Sequence, residues 1–220
     1  MTGPLALVGG NEWRPGCDFD AELLAASGGA EVLVLPTAAA YENPERAVAT
    51  ATAWFAGLGA SVRGLMVLRH VEANQPANAE VARAARFIYV SGGSPLHLRS
   101  VLKDSAVWTA LDEAWHDGAV IAASSAGAMA LCDPMVDPRG GAFTLGLGLI
   151  TQLAVIPHAN TWSHEKARRT FELAARGTAV LGVDECTAAI RGSDGSWHAS
   201  GAGHVAVWKD GKEAGLDALA

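Results

Sequence analysis

With 220 residues, half of them hydrophobic and 18% charged, the chain is long enough for one domain with a sizeable core and short for two. A formal charge of −7, with no lysine or arginine run, excludes the basic footprint of a nucleic-acid binder. The opening "MTGPLALVGGNEW" has no basic residue ahead of its apolar stretch, and no apolar run approaches the ~18 residues of a membrane span. Neither nucleic acid nor membrane is therefore an expected partner, and a cytoplasmic location is expected.

Strand and helix patterns alternate through the first half. Leu5–Gly10, Glu31–Thr37, Val62–Leu68, Phe87–Gly93 and Ala119–Ser124 are short apolar runs of strand type. Between them "FDAELLAAS", "NPERAVATATAWFAGLG", "NAEVARAAR" and "PLHLRSVLKDSAVWTALDEAWHDG" place apolar residues at helical spacing, with Asn, Asp or Pro near several starts. This alternation predicts an α/β fold with a mostly parallel sheet covered by helices on both faces, in a single domain over residues 1–220. The second half adds "GLGLI" (Gly146–Ile150), "LAVIPHANTW" (Leu153–Trp162) and a helix near His164–Ala175. Two runs of strand character follow, Ala179–Ile190 and Trp197–Lys212, joined through "RGSDGS".

Ligands of parallel sheets bind at the carboxyl ends of the strands. Three strand ends carry unusual residues: "VGGNEW" (Val8–Trp13), "VSGGSPLHL" (Val90–Leu98) and "AASSAGA" (Ala122–Ala128), all expected on one edge. In the last, two serines stand where a buried strand meets a helix. A serine there can cap the helix; it can also be a nucleophile on a tight turn, exposed by the small residues after it. A nucleophile needs a base and N–H donors for the oxyanion. Ala126 N–H and the unhindered Gly93 N–H of "SGGS" could supply the donors, although "SGGS" is also an ordinary strand-to-helix turn. His158, after Pro157 at the end of an apolar strand, should reach the same edge as Ser125. His97, one turn beyond the glycine loop, is a weaker candidate for the pocket wall.

"GGSPLHL", "SSAGAMAL", "GLGLI", "IPHANTW" and "LGVDECTAAI" occur in the order and approximate spacing of the cyanophycinase and aspartyl dipeptidase (peptidase E) family of serine peptidases, and the chain resembles that family from about Leu7 to Val207. The resemblance implies a class I glutamine-amidotransferase-like fold, a flavodoxin-like three-layer sandwich. It implies Ser125 as nucleophile, His158 as base, and Gly93 and Ala126 as oxyanion donors. It also implies an acid between nucleophile and base; of Asp133 and Asp137, the latter, following "PMV", is favoured to hold the imidazole tautomer. Asp184 and Glu185 of "GVDE" match a further family motif and are expected to shape the pocket floor or bind backbone amides.

Two departures from the family pattern narrow the substrate. Ala159 follows His158 where many relatives have an aromatic residue, and Ile156–Pro157 replaces the Asp-Gln of cyanophycinases, which turns the expectation away from cyanophycin itself. Aspartyl dipeptidases hold the substrate's acidic side chain with an arginine on the helix after the histidine. Here Lys166, Arg168 and Arg169 are the candidates for that role, against a solvated helix face; Lys166 and Arg169, three apart, share a flank. The expected activity is that of a serine exopeptidase or dipeptidase on short, N-terminally aspartyl peptides. A β-aspartyl peptidase and a catalytically silent binding module on the same fold are the alternatives. The expected partners are a small peptide substrate and, for self-association, a second copy in a homodimer. Cys17, Cys132 and Cys186 are odd in number and far apart, and no His, Asp and Glu cluster has ligand spacing, so no disulfide framework, metal or organic cofactor is expected.

Overall fold

The computed structural model describes residues 1–139 and 141–219. The chain runs β1 (Leu5–Val8), α1 (Phe19–Ser27), β2 (Glu31–Leu35), α2 (Pro44–Gly57), β3 (Ser61–Gly64), α3 (His70–Ala73), α4 (Pro76–Ala84), β4 (Phe87–Val90), α5 (Pro95–Leu102), α6 (Ala106–His116), β5 (Val120–Ser124) and α7 (Ala126–Leu131). Short strands β6 (Cys132–Asp133), β7 (Met135–Val136), β8 (Phe143–Thr144) and β9 (Ile150–Thr151) precede β10 (Leu153–Ile156) and α8 (His164–Leu173). The chain ends with β11 (Ala179–Val183), β12 (Thr187–Arg191), β13 (Trp197–Gly201), β14 (Val205–Lys209) and β15 (Lys212–Ala214).

The central seven-stranded sheet has the order β13-β12-β1-β5-β4-β2-β3. From β1 to β3 every pairing is parallel; β12 joins β1 antiparallel and β13 follows it antiparallel. Because successive side chains leave a strand on opposite faces, Leu5, Leu7, Ile121 and Ala123 pack toward α4 to α7. Ala6, Val8, Val120 and Ala122 pack toward Phe19 and Leu23 of α1 and Phe55 of α2. Both faces are covered, as the near-continuous apolar strands require. A second sheet, β10-β11-β14-β15, packs on the α4 to α7 side through Leu153, Val155, Leu181 and Val207.

Local chemistry sets the helix starts. Asn43 caps α2 by accepting from the Arg46 N–H, Ser94 caps α5, Ser105 caps α6 and Ser163 caps α8, with proline in the first turn of α2 and α5. The run from Pro95 to Gly118, which reads as one helix, is two: the chain breaks at Lys103–Ser105, where Asp104 takes φ +57° and Ser105 starts a fresh cap. The run Ala179–Ile190 is likewise divided. Its first half, β11, lies in the second sheet beside β10 and β14, whereas its second half, β12, crosses to the central sheet. The hairpin through Arg191–Ser196 joins β12 to β13, closed by the Gly192 N–H donating to the Ser196 carbonyl.

Candidate active site

β1, β4 and β5 end side by side, and the turns that leave them build one site. Ser125 follows β5 with φ +50° and ψ −110°, a conformation costly for a residue with a Cβ, and its N–H donates to the Val8 carbonyl of β1 (2.9 Å). α7 starts immediately afterwards, so the side chain of Ser125 projects from a sharp strand-to-helix turn. Neither the Ala126 nor the Gly93 N–H has a hydrogen-bond partner among the described residues. Gly93 has φ +136°, and a Cβ there would meet the Ala38 carbonyl at 2.2 Å, so only glycine holds this loop so close.

The Ser125 hydroxyl lies 2.9 Å from His158 Nε2, and His158 Nδ1 lies 2.8 Å from Glu185 Oε1. With Nδ1 protonated toward the carboxylate, Nε2 is free to accept the serine proton. His158 leaves β10 in the left-handed region (φ +50°), its N–H donating to the Gly9 carbonyl at 2.7 Å. The imidazole lies against Gly10, where a Cβ would sit 2.2 Å from Cε1. Glu185 lies in the turn after β11, its N–H donating to Asn160 Oδ1 (3.2 Å), and the next residue, Cys186, donates its N–H to the Gly10 carbonyl. β10 and β11 are parallel neighbours joined over α8, so both deliver their following residues to the same edge.

The acid expected from the sequence is therefore corrected. Asp137 does not reach His158; Arg139 takes both its carboxylate oxygens at 2.9 and 2.7 Å and holds its pKa down at about 2. Asp133 accepts the Gly146 N–H at 2.9 Å. Asp184 binds a backbone amide, that of His204, whereas Glu185 meets the imidazole instead of lining a floor. The visible signal was the polar end of a strand paired in parallel with the histidine's strand; that pairing is not written in either segment alone. His97 is held away, with Nε2 at 3.0 Å from the Leu68 carbonyl and its ring edge-on to Tyr41.

Glu12, in "VGGNEW", was not expected to contribute. Its carboxylate accepts from the Ser124 hydroxyl at 2.6 Å through one oxygen and from the Gly92 N–H at 3.2 Å through the other. It thus ties the serine turn to the glycine loop with two hydrogen bonds to a charged acceptor. The pair of serines is explained by this division: Ser124 faces Glu12 and Ser125 faces His158.

Two cavities flank Ser125. A small one, about 160 Å³, is walled by Pro95, Met129, Pro138, Pro157 and Trp162 together with Gly93 and Ala126. A larger one, about 500 Å³, runs from Ser125 and His158 past Glu12 to Arg14, Glu42 and Arg46. Of the three basic residues on α8, Lys166 approaches the small cavity, donating to the Pro138 carbonyl at 3.0 Å with its ammonium 3.5 Å from the centre of the Trp162 ring. Partial burial pulls the Lys166 pKa down, opposed by the Asp137 charge. Arg168 is paired with Glu165 and Glu172, and Arg169 lies 3.7 Å from Glu165, so neither is brought to Ser125. Among the described residues there is no cluster of three or more His, Cys, Asp or Glu able to hold a metal ion, and no helix long and apolar enough to cross a membrane.

The model of peptidase family S51 matches residues 11–198. Among curated proteins none matches the chain. A crystal structure of a peptidase from an acI-B1 actinobacterium superposes with a TM-score of 0.87 at 30% identity, over 97% of this chain and 93% of that one. A Listeria monocytogenes EGD-e protein assigned as a peptidase E gives 0.65 at 17% identity, over 95% of this chain and 99% of that one, and so shares the fold. The matched residues contain Ser125, His158 and Glu185, and the chain belongs to peptidase family S51.

Proposed function

We propose that this peptidase is a serine exopeptidase of dipeptidase type, with Ser125 as nucleophile, His158 as general base and then acid, and Glu185 as the carboxylate that orients the imidazole. The observation that carries this reading is the continuous hydroxyl–imidazole–carboxylate chain, 2.9 and 2.8 Å long at its two links, beside two N–H groups without a partner among the described residues. Ser125 Oγ attacks the scissile carbonyl while its proton passes to His158 Nε2. The oxyanion is stabilised by the Gly93 and Ala126 N–H groups. Collapse breaks the C–N bond, His158 returns the proton to the leaving amine, and water, activated by the same imidazole, releases the acyl group from Ser125.

The small cavity suits a short acyl side chain, and the Lys166 ammonium at its Pro138 and Trp162 wall favours a carboxylate there. An N-terminal aspartyl peptide is therefore the substrate class that the site supports best. The test is amino-acid release from a panel holding Asp-Leu, Asn-Leu, Ala-Leu and β-Asp-Arg, with Ser125→Ala as control and fluorophosphonate labelling of Ser125. Asp-Leu should lead, and Ser125→Ala should abolish turnover and labelling together. Equal rates for Asp-Leu and Ala-Leu would remove the acidic specificity, leading turnover of β-Asp-Arg would transfer the chain to the β-aspartyl class, and activity retained in Ser125→Ala would remove the nucleophile.

A further inference from the structure

We propose that Arg14 and Arg46 form a carboxylate subsite that reads the free C-terminus of the leaving residue, so that cleavage is confined to substrates ending one residue beyond the scissile bond. The inference rests on Ser125 being the nucleophile. It concerns the far end of the larger cavity, which the catalytic chain leaves unused.

Arg14 comes from the loop after β1, and Arg46 from the first turn of α2, on the same cavity as Ser125 and His158. Neither guanidinium has a hydrogen-bond or ion-pair partner among the described residues; Arg63, Arg86 and Arg176 are also unpaired, but Arg14 and Arg46 are the arginines that line the cavity of Ser125 and His158. Two arginines without partners in one concave wall are suited to a planar carboxylate, which a guanidinium binds through two parallel hydrogen bonds. α2 is fourteen residues long, and its N-terminal residues Asn43, Arg46 and Ala47 line the same wall, adding the positive end of the helix dipole. The acids of the cavity do not cancel this. Glu12 has each oxygen already bound, to the Ser124 hydroxyl and the Gly92 N–H, and Glu42, the other acid lining the cavity among the described residues, makes no ion pair with either arginine.

The direction of the substrate follows from the two cavities. Gly93, Ser125 and His158 border both cavities, whereas Ala126 borders the small one alone, so the acyl residue is assigned to the small cavity, beside the Pro138 and Trp162 wall that carries Lys166. The leaving residue is then left with the large cavity, which also borders His158, the group that must protonate the departing amine. A volume near 500 Å³ accepts a side chain of any size while the carboxylate reaches the arginines, so the subsite would select for chain length more than for side-chain identity.

The experiment compares kcat/KM for Asp-Leu, Asp-Leu-amide and Asn-Leu on wild type, the double variant Arg14→Gln/Arg46→Gln, and Arg14→Lys/Arg46→Lys, alongside fluorophosphonate labelling of Ser125. Both arginines are exposed, so the substitutions do not threaten the fold. Wild type should prefer the free acid over the amide by about tenfold or more, the scale of one lost charged hydrogen-bond pair. The glutamine variant should bring that ratio close to one, through KM for Asp-Leu, and the lysine variant should recover part of it. A wild-type ratio near one, or a ratio unchanged in the glutamine variant, overturns the inference. So does a glutamine variant that keeps the acid-over-amide preference but loses Asp-Leu over Asn-Leu, because the arginines would then hold the side-chain carboxylate. If wild-type Ser125 is labelled and these outcomes occur, only the subsite is lost; if Ser125 is neither labelled nor active, the nucleophile and the subsite fall together.

Discussion

At the scale of single residues, the exchange of Asp137 for Glu185 has a direct consequence. Glu185→Gln leaves the shape of the site but removes the charge that favours the Nδ1-protonated tautomer, and should lower kcat by about 10⁴, the scale for losing the orienting carboxylate of a triad. Asp137→Asn removes the Arg139 pair and a charge that acts on Lys166, neither of which touches His158, and should leave kcat within about twofold, since ion pairs at the surface are worth little. Steady-state kinetics on the two variants decide between them, and the opposite ranking would return the role to Asp137. Glu12 makes a different prediction. Glutamine can still accept from the Gly92 N–H while donating to the Ser124 hydroxyl, but alanine releases both. Glu12→Ala should therefore reduce kcat at least about tenfold with a smaller change in KM, by loosening the loop that carries Gly93, and Glu12→Gln should restore most of it.

At the scale of elements, the β5–α7 turn carries strain at its first residue. Ser125 at φ +50° pays a steric cost that glycine would not, so Ser125→Gly should be the more stable of two inactive variants, above Ser125→Ala by about 1 kcal/mol in urea unfolding. Equal stability would mean that the strain is absorbed elsewhere. α1 and α2 are pinned by Asp20, fully buried, whose carboxylate accepts from Trp54 Nε1 at 2.9 Å while its other oxygen has no partner among the described residues. Burial raises the Asp20 pKa to about 8, the Trp54 hydrogen bond opposing and the Glu12 charge adding to it. The unfolded chain gives up this proton near pH ~4 and the folded chain only near 8, so the native state binds more protons between those values. The contribution of Asp20 is thus fully present below pH ~4 and is lost as pH rises through about 8. Thermal midpoints of wild type and Asp20→Asn from pH 5 to 9 should diverge, wild type falling relative to the variant; parallel profiles would show that Asp20 is ionised throughout.

At the scale of the whole molecule, the chain returns to its own beginning. β12 pairs with β1, which makes β1 an interior strand of the central sheet, and β14 closes the second sheet on β11. Deleting residues 187–220 would expose one edge of each sheet and uncover Leu181 and Val183. That truncation should abolish the cooperative unfolding transition as well as activity; a truncated chain that still melts sharply would show that residues 1–186 fold without their closing strands.

Much of this was legible in the residues themselves. Alternating apolar runs and helical spacing specify parallel strands covered on both faces, because a strand buried on both sides has to be apolar throughout and a covering helix only on one stripe. The small residues around Ser125 and the strand end at His158 likewise mark the meeting of hydroxyl and imidazole, since neighbouring parallel strands finish on one edge. What the linear order did not contain was which strand stands beside which. Glu185 follows Ser125 by sixty positions and His158 by twenty-seven, yet the parallel pairing of β10 and β11 brings it to Nδ1, while Asp137, between the two in the chain, turns outward to Arg139. Glu12 reaches Ser124 across 112 positions for the same reason: the carboxyl ends of β1 and β5 are adjacent only once the sheet has formed. Periodicity is a property of one segment and survives in the sequence, but the partner of a polar side chain at a strand end depends on the order of strands, which long-range burial of apolar faces decides.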